Sequence, residues 1–247
     1  MKVIILAAGQ GTRLRPLTNN QPKCMVAYNS VPIIRTILNC IKECGIDKTS
    51  IVTGYKSNVL KEYLNKEQIT YFENIKYDST NMTYSLFCAK EWMNDDLIIS
   101  YSDIIYDKQV LKKLMDAPSD ISVVVDKSWK QLWLQRMDNP LLDAETLKVE
   151  DNKIIELGKK PRDYSEIDGQ YIGLIKISKK VLPKIIHFYD EVLRKKLSQN
   201  EFDNMYMTTF IQEIIDNLHE VNPVWIDGKW LEVDCVSDLE IKMINKV

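Results

Sequence analysis

Short apolar runs alternate with longer amphipathic stretches from the first residues of the chain. Val3-Ile4-Ile5-Leu6 is continuously apolar and is followed at once by a glycine loop, which predicts a buried strand over 2–6. Around 32–44 the apolar positions are Ile33, Ile34, Ile37, Leu38 and Ile41, the 3.6-residue spacing of a helix, and Gly45 stands where a C-cap belongs. Ser50-Ile51-Val52-Thr53 then reads as a second strand, completing a β-α-β start. A helix over 58–64, a strand over 70–72, a helix from about Thr83 to Trp92 and an apolar strand over 97–100 continue the alternation. That last strand ends at Tyr101-Ser102-Asp103, so Asp103 leaves the sheet at a strand's carboxyl end, the edge where open α/β sheets bind ligands.

Beyond Asp120 the rhythm changes. Strands are expected over 121–125 and 173–177, with polar and aromatic stretches between them that contain Trp129, Trp133, Arg136 and an acidic turn from Asp138 to Glu145. Two amphipathic helices over about 182–196 and 204–218 follow, then a final pair of strands over 224–226 and 230–233, and a closing helix over 236–244. No repeat, Pro/Gly/Ser linker or low-complexity segment interrupts the chain. The pattern predicts an α/β protein of one domain over 1–247, with a mostly parallel sheet and an insertion at about 121–180.

Composition narrows the function. The chain has 247 residues, 45% hydrophobic and 28% charged, and a formal net charge of -2 without a basic run. That balance argues against a duplex nucleic acid or an anionic membrane as partner, so anionic ligands must be met by local positive charge. The apolar start is too short for a signal peptide or a membrane span. Five scattered cysteines without a C-x-x-C pair, and only two histidines, argue against structural zinc and for reduced thiols in a cytoplasmic protein. The amphipathic helices between Leu182 and Leu218 have apolar faces that fit either the subunit's own core or a homodimer.

The most informative stretch is Leu6-Ala7-Ala8-Gly9-Gln10-Gly11-Thr12-Arg13-Leu14-Arg15-Pro16-Leu17-Thr18, followed by Pro22-Lys23. Two glycines after a buried strand let the main chain approach a ligand closely, and free N–H groups can cradle phosphate oxygens. Ala7 and Ala8 are small enough for a flat base, and Arg13, Arg15 and Lys23 bring positive charge to the same mouth. The loop is not a dinucleotide fingerprint: Leu14 stands where the third glycine would be, and no acidic residue follows within about 20 residues. Polyphosphate ligands in general arrive with Mg²⁺, which takes one or two carboxylates, and Asp103 and Asp234, each just past an apolar strand, are placed to supply them. Helix capping is the plainer role for either aspartate.

The pattern L-A-A-G-x-G-T-R-L-x-P-L-T followed by P-K resembles the signature of nucleotidyltransferases of the sugar-1-phosphate and phosphocholine type. The resemblance implies a Rossmann-like, three-layer nucleotidyltransferase fold and transfer of a nucleoside monophosphate with release of pyrophosphate. It implies a nucleotide site of Leu6, Ala7, Ala8, Gly9, Gly11, Thr12 and Arg13. Lys23 and Arg13 would compensate charge at the reacting phosphates, and Asp103 and Asp234 would hold Mg²⁺, with Asp103 essential to turnover. Phosphoryl transfer needs positioning and charge compensation more than covalent help, which agrees.

Asn81-Met82-Thr83-Tyr84-Ser85-Leu86 resembles the N-x-x-x-S-L segment of cytidylyltransferases, which implies CTP as donor with Asn81 and Ser85 holding the cytosine; Asn81 or Thr80 would equally cap a helix. Lys160, in Lys159-Lys160-Pro161, matches the family's lysine for the acceptor's phosphate. The segments 126–129 and 133–141 resemble the insert of cytidylyltransferases that act on phosphonates and phosphoramidates. That implies a small phosphorylated acceptor, phosphoglutamine first, with phosphocholine, 2-aminoethylphosphonate or a sugar 1-phosphate as alternatives. Lys127, Trp129, Trp133, Arg136 and Lys160 are then the acceptor-binding candidates, Arg136 for a free carboxylate and the tryptophans, with Tyr171, for a cationic head. Tryptophans at i and i+4 also simply pack a helix. A nucleotide-sensing relative without activity would be expected to lack Arg13, Lys23 or an aspartate, and all are present.

Overall fold

The computed structural model describes residues 1–243. Strand β1 (Lys2–Ala7) is buried along its apolar run and passes into the glycine loop. A two-residue pair, β2 (Ala27–Tyr28) and β3 (Val31–Pro32), precedes α1 (Ile33–Glu43), whose buried face is the predicted Ile33, Ile34, Ile37 and Ile41 with Cys40. Gly45 has φ +77° and its N–H donates to the Lys42 carbonyl, so the expected glycine does end the helix. Then follow β4 (Thr49–Thr53), α2 (Ser57–Tyr63), β5 (Ile69–Glu73), α3 (Met82–Cys88), β6 (Leu97–Tyr101), β7 (Ile104–Tyr106), α4 (Lys108–Met115) and β8 (Ile121–Asp126).

The second half carries α5 (Trp129–Arg136), the hairpin β9 (Leu147–Glu150) and β10 (Lys153–Leu157), and the long β11 (Gln170–Ile177). Helices α6 (Leu182–His187), α7 (Arg194–Lys196), α8 (Gln199–Asp203) and α9 (Met207–Asn217) precede β12 (Asn222–Ile226) and β13 (Trp230–Glu232). Seven strands form the central sheet in the order β12-β8-β11-β6-β1-β4-β5, in which β11 alone runs antiparallel to its neighbours β6 and β8. One apolar cluster packs on each face: α1 and the β13 region cover one side, α3, α6 and α9 the other. The sheet is therefore the middle of three layers.

Four expectations need correction. The two last strands are not a pair: β12 joins the edge of the main sheet, whereas β13 pairs antiparallel with β7. The helix from about Thr83 stops at Cys88, and Lys90–Trp92 is a separate 3₁₀ turn. The helix over 182–196 is interrupted by a π-helical segment, Phe188–Leu193. The closing helix is only a 3₁₀ stretch, Val236–Glu240, because the Asp238 side chain turns back to cap the backbone N–H groups of Asp234 and Cys235; Ile244 lies outside the described residues.

Candidate active site

The carboxyl ends of β1 and β6 open on the same edge of the sheet, because the two strands are parallel neighbours in register. β1 delivers the loop. Gly11 sits at φ +61°, and a Cβ there would stand 2.8 Å from Lys23 Cβ, so the glycine allows both the left-handed turn and the close passage of Lys23. Thr18, fully buried, donates its hydroxyl to the Gly11 carbonyl at 2.8 Å and closes the loop on itself.

β6 delivers Asp103 two residues after its end, and β13 delivers Asp234 two residues after its own. The two acidic segments are fastened to each other by the main chain, since Val233 N–H donates to the Asp103 carbonyl at 2.9 Å. Lys23 Nζ then donates to Asp103 Oδ2 and to Asp234 Oδ1, each at 2.7 Å, and Arg13 pairs with the other oxygen of Asp234. Both carboxylates therefore meet around one cationic nitrogen. Burial alone pulls the Lys23 ammonium down, and Asp103, Asp234 and Glu232 outweigh it, so Lys23 is held above the usual lysine value and stays charged. Asp103 Oδ1 is buried without a hydrogen-bond partner among the described residues, an acceptor position left for a further cation or donor.

Arg136 sits behind these aspartates. Its side chain is 4% exposed and donates to Glu232 Oε2 at 2.8 Å and to Asp238 Oδ1 at 3.2 Å. Asp238 in turn accepts from the backbone N–H of Asp234 at 2.7 Å, which fixes the main chain that carries that carboxylate. The guanidinium offered by the sequence reading to an acceptor is thus held by two carboxylates of the chain itself. Glu232, desolvated and close to Asp103, is pushed well above the usual carboxylate range, with Arg136 and Lys23 opposing.

Two cavities lie near the loop, and the larger reaches Asp234. The smaller, about 120 Å³, is lined by Leu6, Ala8, Gly9, Asn81 and Ser85 among others. Asn81 accepts from Met82 N–H with its own side chain, so it caps α3 while lining the cavity; Ser85 accepts from Asn74 Nδ2 at 2.9 Å. Ala7 belongs to the core cluster on the α1 side, Thr12 is exposed, and neither lines this cavity. The larger cavity, about 350 Å³, shares Asn81 with the first and reaches Arg13, Asp234, Trp133 and Tyr171. The remaining acceptor candidates lie away from it. Trp129 is buried edge-on against Trp133, exposed Lys127 lies over the Trp225 ring, and Lys160 donates to the carbonyls of Leu141 and Leu142, each at 2.5 Å. Glu145, Gln170, Tyr206 and Thr208, which the sequence reading did not select, do line it.

A model of the MobA-like NTP transferase domain matches residues 3–199. The chain belongs to that family. This NTP transferase is 49% identical over 251 residues to the CTP:phosphoglutamine cytidylyltransferase of Campylobacter jejuni, across 98% of this chain and 99% of the relative. It is 29% identical to the choline-phosphate cytidylyltransferase of Streptococcus pneumoniae, across 96% of this chain and 95% of that one. Among solved structures, the inositol-1-phosphate CTP transferase of T. maritima has the same fold, with a TM-score of 0.76 at 20% identity over 96% of this chain and 90% of that chain. The expected Rossmann-like nucleotidyltransferase fold and enzyme class are thereby shown. No helix among the described residues of this NTP transferase is long and apolar enough to cross a membrane.

Proposed function

We propose that this NTP transferase is a Mg²⁺-dependent cytidylyltransferase that joins CTP to a small phosphorylated acceptor, phosphoglutamine first, giving CDP-glutamine and pyrophosphate. The observation that carries the chemistry is the convergence of Asp103 and Asp234 on Lys23 Nζ, at 2.7 Å each, beside a glycine loop, with Asp234 lining a cavity that shares Asn81 with a second one bordered by Gly9. The choice of CTP and phosphoglutamine rests on the near full-length similarity to the C. jejuni enzyme.

The donor set fits a hard divalent cation. Two carboxylates already surround a positive charge, and Asp103 Oδ1 has an unused lone pair, so Asp103 and Asp234 would hold Mg²⁺. When bound, the ion neutralises the phosphates of the two substrates and brings them together. The chain's own residues do the rest. The Gly9–Gly11 loop offers main-chain N–H groups to the triphosphate, and Leu6, Ala8, Asn81 and Ser85 border the space for cytosine and ribose. Lys23 and Arg13 compensate charge on the α-phosphate as an acceptor phosphate oxygen attacks it in line and pyrophosphate leaves. A general base is not needed, because that oxygen is already ionised. The cytoplasm, where CTP and reduced thiols occur, is the proposed location of the five free cysteines.

The test is pyrophosphate release from CTP and Mg²⁺ with phosphoglutamine, phosphocholine, 2-aminoethylphosphonate and glucose 1-phosphate in parallel. Phosphoglutamine is expected to be turned over best, and Asp103→Ala to abolish turnover without loss of fold. Turnover of glucose 1-phosphate alone would sink the choice of subgroup, and an active Asp103→Ala the metal assignment.

A further inference from the structure

The carboxylates lining the larger cavity differ in what holds them. Asp234 is paired with Lys23 and Arg13, Glu232 with Arg136, and Asp143 accepts from Trp133 Nε1 at 3.0 Å. Asp143 is exposed and, like Glu145, forms no ion pair among the described residues; Glu145 differs in being half-buried, its carboxylate meeting the Thr208 hydroxyl at 3.3 Å. It is nevertheless held firmly. Gln170, only 5% exposed, accepts from Glu145 N–H at 3.2 Å and donates to the Glu145 carbonyl at 2.5 Å, pinning the main chain of the insertion to the start of β11. Burial raises the Glu145 carboxyl above its ordinary value, the sign of a charge that the chain leaves uncompensated.

The surroundings favour a cation. Arg13 is the one basic residue lining this cavity among the described residues, and it is already bound to Asp234 at the phosphate end. Trp133, Tyr171 and Tyr206 line the same cavity, and aromatic rings tolerate a cation better than an anion. A half-buried carboxylate with one hydroxyl beside it suits a donor with several N–H groups, which a primary ammonium has and a quaternary ammonium lacks.

Building on the acceptor reading above, we infer that Glu145 selects acceptors that carry a primary ammonium group distal to the reacting phosphate, its carboxylate binding that ammonium within the cavity walled by Trp133, Tyr171 and Tyr206. Glu145 is a specificity-determining residue and touches none of the reacting atoms. In phosphoglutamine the group bound is the α-ammonium.

The experiment uses acceptors in pairs that differ only in the ammonium: phosphoglutamine with its des-amino counterpart, and phosphoethanolamine with ethyl phosphate. Wild type, Glu145→Gln and Glu145→Asp are compared by pyrophosphate release with CTP and Mg²⁺, and by calorimetric titration of each acceptor in the presence of a non-transferable CTP analogue. The wild type is expected to prefer the amine of each pair by about 10- to 100-fold, the range of a charged hydrogen bond. Glu145→Gln, which keeps an acceptor for Thr208, should shrink that preference to about 3-fold or less by raising KM for the amine. The des-amino acceptor, the KM for CTP and the melting temperature should be unchanged, and Glu145→Asp should recover part of the preference. Equal binding of the two members of each pair by the wild type, including no binding of either, overturns the inference. So does an equal loss with both members in Glu145→Gln, which would mark a structural role. Rejection of the phosphoglutamine pair alone would overturn the acceptor named above and leave the phosphoethanolamine pair to decide on Glu145.

Discussion

Arg136 gives the sharpest test of how the site is built. It is 4% exposed, and it joins Glu232 to a fully buried Asp238, which in turn holds the backbone of Asp234. Arg136→Met keeps most of the side chain's length and removes the charge, leaving two carboxylates without their counter-ion. Breaking a buried pair from one side costs about 3–5 kcal/mol, because the remaining charge is uncompensated. At roughly 2–4 °C per kcal/mol for a chain of this size, the melting temperature should fall by about 6–20 °C. Asp238→Asn added to Arg136→Met should recover part of that loss, since it removes the stranded charge while keeping one oxygen for the Asp234 and Cys235 N–H groups. The pH dependence has a definite sign. Burial pushes the Asp238 carboxyl up, and the hydrogen bonds from Cys235, Asp234 and Arg136 outweigh it, so its folded value lies below the ordinary one. Its contribution is then present above the unfolded value of about 3.9 and is lost as pH falls through the folded value, so the gap between wild type and Arg136→Met should narrow in that acid range. Differential scanning calorimetry from pH 3 to 8 reads all of this. An Arg136→Met protein that melts like the wild type but has a raised KM for the acceptor would refute the reasoning and return Arg136 to the substrate.

Two further outcomes follow from local geometry. Gly11→Ala would force a side chain into the left-handed region and set a Cβ 2.8 Å from Lys23 Cβ, so it should cost about 1–2 kcal/mol of stability. It should also lower kcat/KM for CTP by at least about 10-fold through displacement of Lys23, in steady-state assays; wild-type kinetics would show that the loop is not set by this contact. Asp126→Asn should destabilise by about 1–3 kcal/mol in urea titrations, because Asp126 accepts from Ser128 N, Gly228 N and Trp230 Nε1, and an amide group would turn a donor toward one of them; an unchanged midpoint would contradict that.

The parts of the molecule that were legible in the sequence are those set by local pattern. The apolar run before Gly9 and the spacing of Ile33, Ile34, Ile37 and Ile41 specify their elements through burial of one strand and one helix face. Local pattern also singled out Arg13 and Lys23 after the glycines, and Asp103 and Asp234 just past apolar strands, and the fold brings these four side chains together. What was hidden is what depends on partners far along the chain. Arg136 looked free because Glu232 and Asp238 lie 96 and 102 residues away. Trp230 to Glu232 looked like a companion of β12 because nothing local states that β7, more than 120 residues earlier, offers it a better edge. Glu145 could not be singled out within an acidic turn, since its distinction from exposed Asp138 and Asp143 is its partial burial and a backbone clamp from Gln170.

The same partner relations bear on the proposed metal. The carboxylates of Asp103, Asp234, Glu232 and Asp238 form one cluster with the cations Lys23, Arg13 and Arg136. Four acids against three bases leave an excess of negative charge, and burial relieves it partly by raising Glu232. Both proposed substrates are themselves polyanions. Close approach of a phosphate to such a cluster is repulsive by several kcal/mol at the low effective dielectric of a half-buried site unless further positive charge arrives with it. Asp103 and Asp234 would hold a divalent ion that supplies such charge, and Lys23 would then be available to the phosphates. If the proposed function holds, metal and nucleotide binding are mutually dependent, so CTP should bind weakly in EDTA and the metal weakly without CTP, and independent binding of either would show that the acids serve only to hold the lysine.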